Sequence, residues 1–250
     1  MIHVVGEGLI PETKAFDRVR EALKFDADVY LGAMWTGITN TALPSNAVIY
    51  NMEPLYEGCR SFSIGYLDTL KKSIVVDYSK KNVEYLDTLG IKAFHLPYGY
   101  HEELERFTQK DKHIDILVVG SQNPRRMEII NKLRNNLNIV WVTGAYGSEL
   151  DYLLSISKVI LNVHYIQDHP LEVARINYLM ANHCTVVSEW SDDYEVDKQY
   201  MNGIYFARDL ESMCKYALNN PLDGYSCIKE KQMDCSKANL WVNARLKEGV

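Results

Sequence analysis

The run IDILVVGSQNPRRMEIINKL (residues 114–133), followed downstream by KVILNVHY (158–165) and HPLEVARINYLMANHCTVVSE (169–189), decides the fold class of this chain. Its apolar segments are continuous in Val, Ile and Leu with no polar alternation, which predicts strands covered on both faces. Strands of that kind build parallel sheets flanked by helices. Polar residues follow each strand directly, at the carboxyl end where open α/β sheets bind ligands. A small-molecule site is expected there.

The first of these turns holds an electrostatic oddity. Asn123 and Pro124 read as an N-cap and first helical residue, because an Asn oxygen accepts orphan amide hydrogens and the fixed proline φ suits the next position. Arg125 and Arg126 then occupy the first helical turn, where the macrodipole favours carboxylates. Either both guanidiniums splay into water or an anion lies between them. A phosphate suits the second arrangement, since amides, dipole and bidentate guanidiniums all favour its oxygens.

The same pattern extends outward through the chain. IHVV, DVYLG, AVIYN, SIVVDYS and KAFHL read as strands in the first half, with helices over about 13–24, 59–70 and 79–89. In the second half DILVVG, NIVWVT, KVILNV, TVVSE and GIYFA are strands, separated by helices near 124–136, 148–156, 171–182 and 209–219. The reading is of two Rossmann-like units, 1–105 and 106–227, joined by the charged connector YHEELERFTQKDKH. A helical tail over 228–250 packs back in this scheme.

Composition narrows the function classes. Twenty-seven Lys and Arg against 33 Asp and Glu give a net charge of -6, which excludes a broad electrostatic grip on nucleic acid. A local basic patch around Lys71, Lys72, Lys80 and Lys81 stays open, as do ordinary solvated lysines. Five cysteines without a CxxC pair fit reduced thiols in a cytoplasmic setting. No signal-peptide pattern and no long apolar run occurs, so a soluble protein without a membrane span is expected. The seven histidines show no ligand spacing and Asp26-Ala27-Asp28 faces no phosphate loop, so no metal is expected. P-loop and GxSxG patterns are absent.

The second turn reads as a helix opening at Pro170, with free amides facing the end of KVILNVHY. Glu172 stands in its first turn, correctly charged for the dipole and able to accept from a ribose diol. Arg175 follows on the same face. The alternative is a surface Glu172–Arg175 pair worth a few tenths of a kcal/mol.

DILVVGSQNPRR (115–126), ELDYLLSISKVILNVHY (149–165) and LEVARINYLMANHCTVVSE (171–189) resemble the donor half of a GT-B glycosyltransferase of the small group 1 and CgeB-like kind. IYNMEP (49–54), VDYSKKNVEYLDTLGI (76–91) and HLPYGY (95–100) resemble the acceptor half. The resemblance implies an α/β chain of two Rossmann-like parallel-sheet domains facing across a cleft. It further implies that Gly120, Arg125 and Arg126 border the donor diphosphate and that Tyr146 borders the base. Glu172 takes the ribose hydroxyls, with Leu171 and Arg175 beside it. Group 1 enzymes carry a glutamate eight positions before that one, where this chain has His164. That residue either contacts donor sugar or phosphate or is a hydrogen-bonded structural histidine.

An inverting reaction needs a carboxylate or imidazole within reach of the acceptor hydroxyl. Glu53 is the first candidate, with Glu7 and His95 behind it; Glu53 is otherwise a turn carboxylate before Pro54. The implied activity is metal-independent transfer of a hexosyl or pentosyl group from a UDP- or GDP-sugar, with no further cofactor. The acceptor is a glycan or envelope precursor, or a hydroxymethylated base of viral DNA. A non-catalytic nucleotide-sugar-binding module, acting as sensor or partner subunit, is the alternative.

Overall fold

The computed structural model describes residues 1–56, 65–167 and 169–248. The chain divides into two compact units: residues 1–98 with 233–250, and residues 99–232. Each is built on a five-stranded, wholly parallel sheet.

Unit 1 contains β1 (Ile2–Val4), β2 (Val29–Leu31), β3 (Val48–Asn51), β4 (Ile74–Asp77) and β5 (Ala93–His95), in the spatial order β1-β2-β3-β4-β5. The central β3 and β4 are buried along their whole length, as continuous apolar runs require. Among its helices are α1 (Asp17–Ala22), α2 (Tyr66–Lys71) and α3 (Lys80–Thr88), the last capped by the Ser79 hydroxyl. The beginning of the helix expected over 59–70 lies outside the described residues. Ala93 packs against the core cluster that includes Leu86 of α3, whereas Phe94 meets Trp241 with ring centroids 5.8 Å apart. Successive strand residues face opposite ways. The far face of β4 and β5 is therefore covered by the helix that carries Trp241, near the chain's end.

Unit 2 contains β6 (Ile114–Val119), β7 (Ile139–Val142), β8 (Ser157–Asn162), β9 (Thr185–Ser188) and β10 (Tyr205–Phe206), in the order β10-β9-β8-β6-β7. Its helices α4 (Pro124–Arg134), α5 (Gly147–Ser155), α6 (Val173–Ala181) and α7 (Leu210–Asn219) alternate with the strands, and α8 (Ser236–Glu248) is the tail helix of unit 1. Ile116, Val118, Ile130, Val159, Leu161, Val187 and Cys214 form the heart of one core. From β6 the chain steps to β7 on one side and then crosses to β8 on the other. The carboxyl ends of β6 and β8 thus flank a topological switch point, the position where doubly wound sheets hold ligands.

Two expectations need correction. The charged connector is not a loose linker: Asn182 accepts from the Arg106 and Phe107 amides at 2.7 and 3.1 Å and donates to the Leu104 carbonyl at 2.6 Å. Those bonds satisfy buried polar groups and tie the segment into unit 2. The helix placed at Pro170 starts at Val173, and Glu172 is its N-cap residue without a side-chain capping bond. The Val173 and Arg175 amides bond to Leu171 and Glu172 carbonyls, so they are not free for a ligand.

Candidate functional site

The turns after β6 and β8 lock together side by side. Asn123 caps α4, its Oδ1 accepting the Arg126 amide at 2.7 Å as the Asn-Pro signal predicts, and its amide group donates to the Tyr165 carbonyl. Arg126 is 4% exposed and donates through Nε to the Val163 carbonyl at 2.9 Å and through Nη1 to the Ser121 carbonyl at 2.9 Å. Among the described residues no carboxylate bonds it. Burial, then the neighbouring Arg175 charge, lowers its pKa to about 10. The Tyr165 ring faces the guanidinium, 5.3 Å from centroid to carbon.

Gly120 is the backbone counterpart of that cation. Its φ is +134°, and a Cβ there would stand 2.9 Å from Arg126 Nη1 and 3.7 Å from Arg175 Nη2. Only glycine takes this conformation readily and lets the chain pass so close to two guanidiniums.

Arg125 has a different role from the one expected. Glu189 receives it in a two-pronged pair, Nη2 to Oε1 at 2.6 Å and Nη1 to Oε2 at 3.0 Å, and Nη1 also donates to the His164 carbonyl at 2.8 Å. The picture of two like cations awaiting a shared anion is corrected here: Arg125 already holds its counter-ion. Glu189 Oε2 also accepts the His164 amide at 2.8 Å. The ion pair therefore clamps both sides of the His164 residue.

Glu172 turns inward rather than toward the helix amides. Its Oε2 accepts from Asn162 Nδ2 at 2.8 Å and meets His164 Nδ1 at 2.9 Å, while Oε1 lies 3.7 Å from His169 Nδ1. Burial opposes its charge, but the His164 bond and the charges of His164, Arg175 and His169 prevail and hold its pKa well below the usual carboxylate range. Arg175 does not pair directly with Glu172; it donates to Asn162 Oδ1 at 3.0 Å, so Asn162 bridges the two. Leu171 is buried and offers packing rather than a polar contact. Tyr146 stands before α5 beyond the end of β7, the strand paired with β6, and is half-buried.

His164, His169 and Glu172 bring one ligating atom each within 4.8 Å of one another, the group closest to a metal site among the described residues. Histidines that look scattered in sequence are thus paired in space, with rings 5.9 Å apart. The charges of Arg125 and Arg175 reach this group, Arg125 with Glu189 as its counter-ion.

The three acceptor-side candidates stand on unit 1. Glu53 follows β3, its amide donating to Asn51 Oδ1 at 3.1 Å and its carbonyl accepting from Asn51 and Asn82 at 2.9 and 2.8 Å. Beneath it the fully buried Asp77 accepts from Asn51 at 2.6 Å, Asn82 at 3.0 Å and the Ser79 amide at 2.8 Å. Burial pushes Asp77 up to about 7 against those bonds. Glu7, after β1, is exposed and paired with Arg20 at 2.7 Å. His95 ends the edge strand β5, and burial lowers its pKa. With strands spaced about 4.8 Å apart, the ends of β1, β3 and β5 are separated by roughly 10 Å steps. The structure does not gather the three into one cluster.

Asn162, Glu189, His169, Asn51, Asp77 and Asn82 were not singled out from sequence. Four of the six had a legible signal: Asn162, Asp77 and Asn51 interrupt or end apolar strands, and Glu189 directly follows TVVS. His169 and Asn82 owe their place to loop and helix geometry.

No family model matches the chain. An uncharacterized protein of Acanthamoeba polyphaga mimivirus is 30% identical over 147 residues, 55% of this chain and 47% of that one. A second from the same virus is 28% identical over 129 residues, 49% and 45% of the two chains. The matches span less than half of these relatives' lengths. Among solved structures, sucrose-phosphate synthase from Thermosynechococcus elongatus has a TM-score of 0.54 at 12% identity, covering 97% of this chain and 79% of that one. TarM scores 0.50 at 14% identity (93% and 57%), and AviGT4, a glycosyltransferase involved in avilamycin A biosynthesis, 0.50 at 11% (96% and 77%). All three are GT-B glycosyltransferases. The fold is GT-B-like. Within this GT-B-like chain, the cluster around Arg126, His164 and Glu172 belongs wholly to unit 2. No helix among the described residues is long and apolar enough to cross a membrane.

Proposed function

We propose that this chain is a glycosyltransferase that holds a nucleotide sugar at the β6–β8 switch point of unit 2. The observation that carries the reading is the approach of two guanidiniums, Arg126 and Arg175, to the Gly120 backbone beside the half-buried Glu172 carboxylate. A diphosphate meets the two cations, which offset leaving-group charge without a divalent ion. Glu172 accepts from ribose hydroxyls, Tyr146 borders the base, and Arg125 keeps the His164 turn in shape through Glu189. Glu53 is the proposed acceptor-activating carboxylate, seated on the Asp77 network.

A glycan or envelope precursor is the favoured acceptor over a DNA base. Of Lys71, Lys72, Lys80 and Lys81, the cations considered for a DNA patch, two are paired: Lys71 and Lys80 lie 3.7 and 3.8 Å from Asp68 and Glu84. Their charge is locally offset, and a duplex needs several uncompensated cations.

A thermal-shift panel of UDP-, GDP- and other nucleotide sugars tests the reading. A ligand at about 100 times its Kd stabilises the native state by about 2.7 kcal/mol. Glu172→Ala is expected to weaken that ligand at least about tenfold, and EDTA is expected to leave turnover unchanged. Tight binding without turnover in every acceptor mixture would make the chain a non-catalytic nucleotide-sugar module.

A further inference from the structure

His164 ends in a nitrogen with nothing to bond. The residue is 2% exposed, yet its Nε2 has no hydrogen-bond partner among the described residues. A buried polar atom left in that state destabilises the fold, and a ligand oxygen bonded to it would recover the loss. Everything else about the ring is held: Nδ1 on Glu172 Oε2 at 2.9 Å, the backbone amide on Glu189 at 2.8 Å, the carbonyl on Arg125 at 2.8 Å, and the His169 ring stacked 5.9 Å away. Such a carboxylate–imidazole arrangement fixes the tautomer, with the hydrogen of Nδ1 on the carboxylate side, and aims the remaining nitrogen.

We propose that Glu172 and His164 form an acid dyad whose Nε2–H protonates the departing diphosphate of a nucleotide-sugar donor. This rests on the nucleotide-sugar reading above and adds a chemical step to it. As the bond between the anomeric carbon and the diphosphate oxygen breaks, its electron pair stays on that oxygen and the Nε2 proton moves there. The acceptor oxygen bonds to the anomeric carbon and gives its own proton to a base or to water. The dyad is left as neutral imidazole with Nδ1–H on the Glu172 carboxylate, and water returns the proton to Nε2.

The charged surroundings favour the acid form. Burial works against the imidazolium, but the Glu172 bond and the Glu172 and Glu189 charges outweigh it and raise the pKa, with Arg125 opposing. The groups facing the ring are Glu172 and His169 from the β8–α6 segment, Glu189 and Asp197 from beyond β9, and Arg125 from α4. Besides offering Oε1 to the ribose hydroxyls, Glu172 thus orients the imidazole and keeps it charged through Oε2.

The test is calorimetric binding of UDP-glucose and GDP-mannose between pH 6 and 9, since their diphosphate diesters do not titrate in that range. For wild type, affinity for the bound nucleotide sugar should fall by about tenfold in all as the imidazolium is lost, and then level off. His164→Gln, which keeps a neutral donor, should bind about tenfold more weakly at pH 6 and show a flat profile. Its turnover should fall more than its affinity. Should His164→Gln fail to fold, Glu172→Gln serves instead, and its affinity should begin to fall at lower pH. A ring nitrogen resonance of His164 that shifts on adding the nucleotide sugar to wild type supports contact at Nε2. Wild-type binding that is flat across the range, or His164→Gln binding as tightly as wild type, overturns the dyad while leaving the nucleotide-sugar reading intact. Affinity that requires Zn2+ and vanishes with EDTA also overturns it, in favour of a cation on His164, His169 and Glu172. No binding of any nucleotide sugar at any pH overturns both.

Discussion

The two units use the same parts and differ in the order of assembly. Unit 1 lays its strands down in sequence order, β1 to β5, whereas unit 2 starts in the interior with β6, adds β7 on one side and β8 on the other. Parallel crossovers are right-handed. A sheet that grows in one direction therefore receives its connecting helices on one face, and the other face of unit 1 is covered by α8 from the far end of the sequence. A sheet that reverses direction parts its loops at the reversal and opens a crevice. The placing of polar and charged groups follows that difference. In unit 2 Arg126, Glu172 and His164 gather at the reversal, while the buried polar centre of unit 1 is the Asp77, Asn51 and Asn82 network that seats the Glu53 turn.

The largest expected effect is at the clamp in unit 2. Glu189→Ala strands Arg125 and the His164 amide together, and loss of one partner of a largely buried pair costs about 3 kcal/mol. Urea denaturation gives the total, and hydrogen exchange should place the loss in the β6–β8 turns; loss confined to unit 1 would contradict the assignment. Next comes Gly120→Ala, expected to cost about 2 kcal/mol through backbone strain at φ +134° and contact with Arg126. Gly90→Ala in unit 1, at φ +74° with open space around it, should cost about 1 kcal/mol. Equal costs would mean that Arg126 yields freely.

The pH response sharpens the contrast further. Asp77 holds its proton more tightly in the folded chain, near 7, than in the unfolded chain near 3.8, so its contribution is greatest at low pH and falls as pH rises through 7. Unit 1 should lose about 1 kcal/mol between pH 6 and 8 from this group, and Asp77→Asn should remove that slope from the melting temperature. Glu172 in unit 2 behaves oppositely: its pKa is depressed, so its contribution is present above the ordinary carboxylate range and is lost as pH falls through it. The smallest effect belongs to Glu7→Ala, where an exposed pair with Arg20 is worth less than about 0.5 kcal/mol. A loss of 2 kcal/mol or more there would show that Glu7 does more than its surface position indicates.

Sequence reading found the ten strands of the described residues and the Asn123 cap because those signals are local. A strand covered on both faces must be apolar throughout, and an Asn-Pro pair satisfies orphan amides within one turn. It also pointed to the loops after β6 and β8, since polar residues beyond an apolar strand mark the ligand edge of a parallel sheet, and those two loops lie side by side in the fold. It misjudged what the residues in those loops do. Arg125 looked like an anion ligand because its partner Glu189 lies 64 positions away. Glu172 looked like a dipole-matched carboxylate on a helix because nothing local announced Asn162 or His164 as its partners.

By itself, then, the order of apolar and polar residues determined two parallel α/β units and the polar turns at the ends of their strands, because hydrophobic period and capping act over a few residues. Only the tertiary structure decided which charge meets which. Arg125 with Glu189 and Glu172 with His164 are set by the side-by-side placing of β6, β8 and β9, and electrostatic pairing depends on distance in space rather than along the chain.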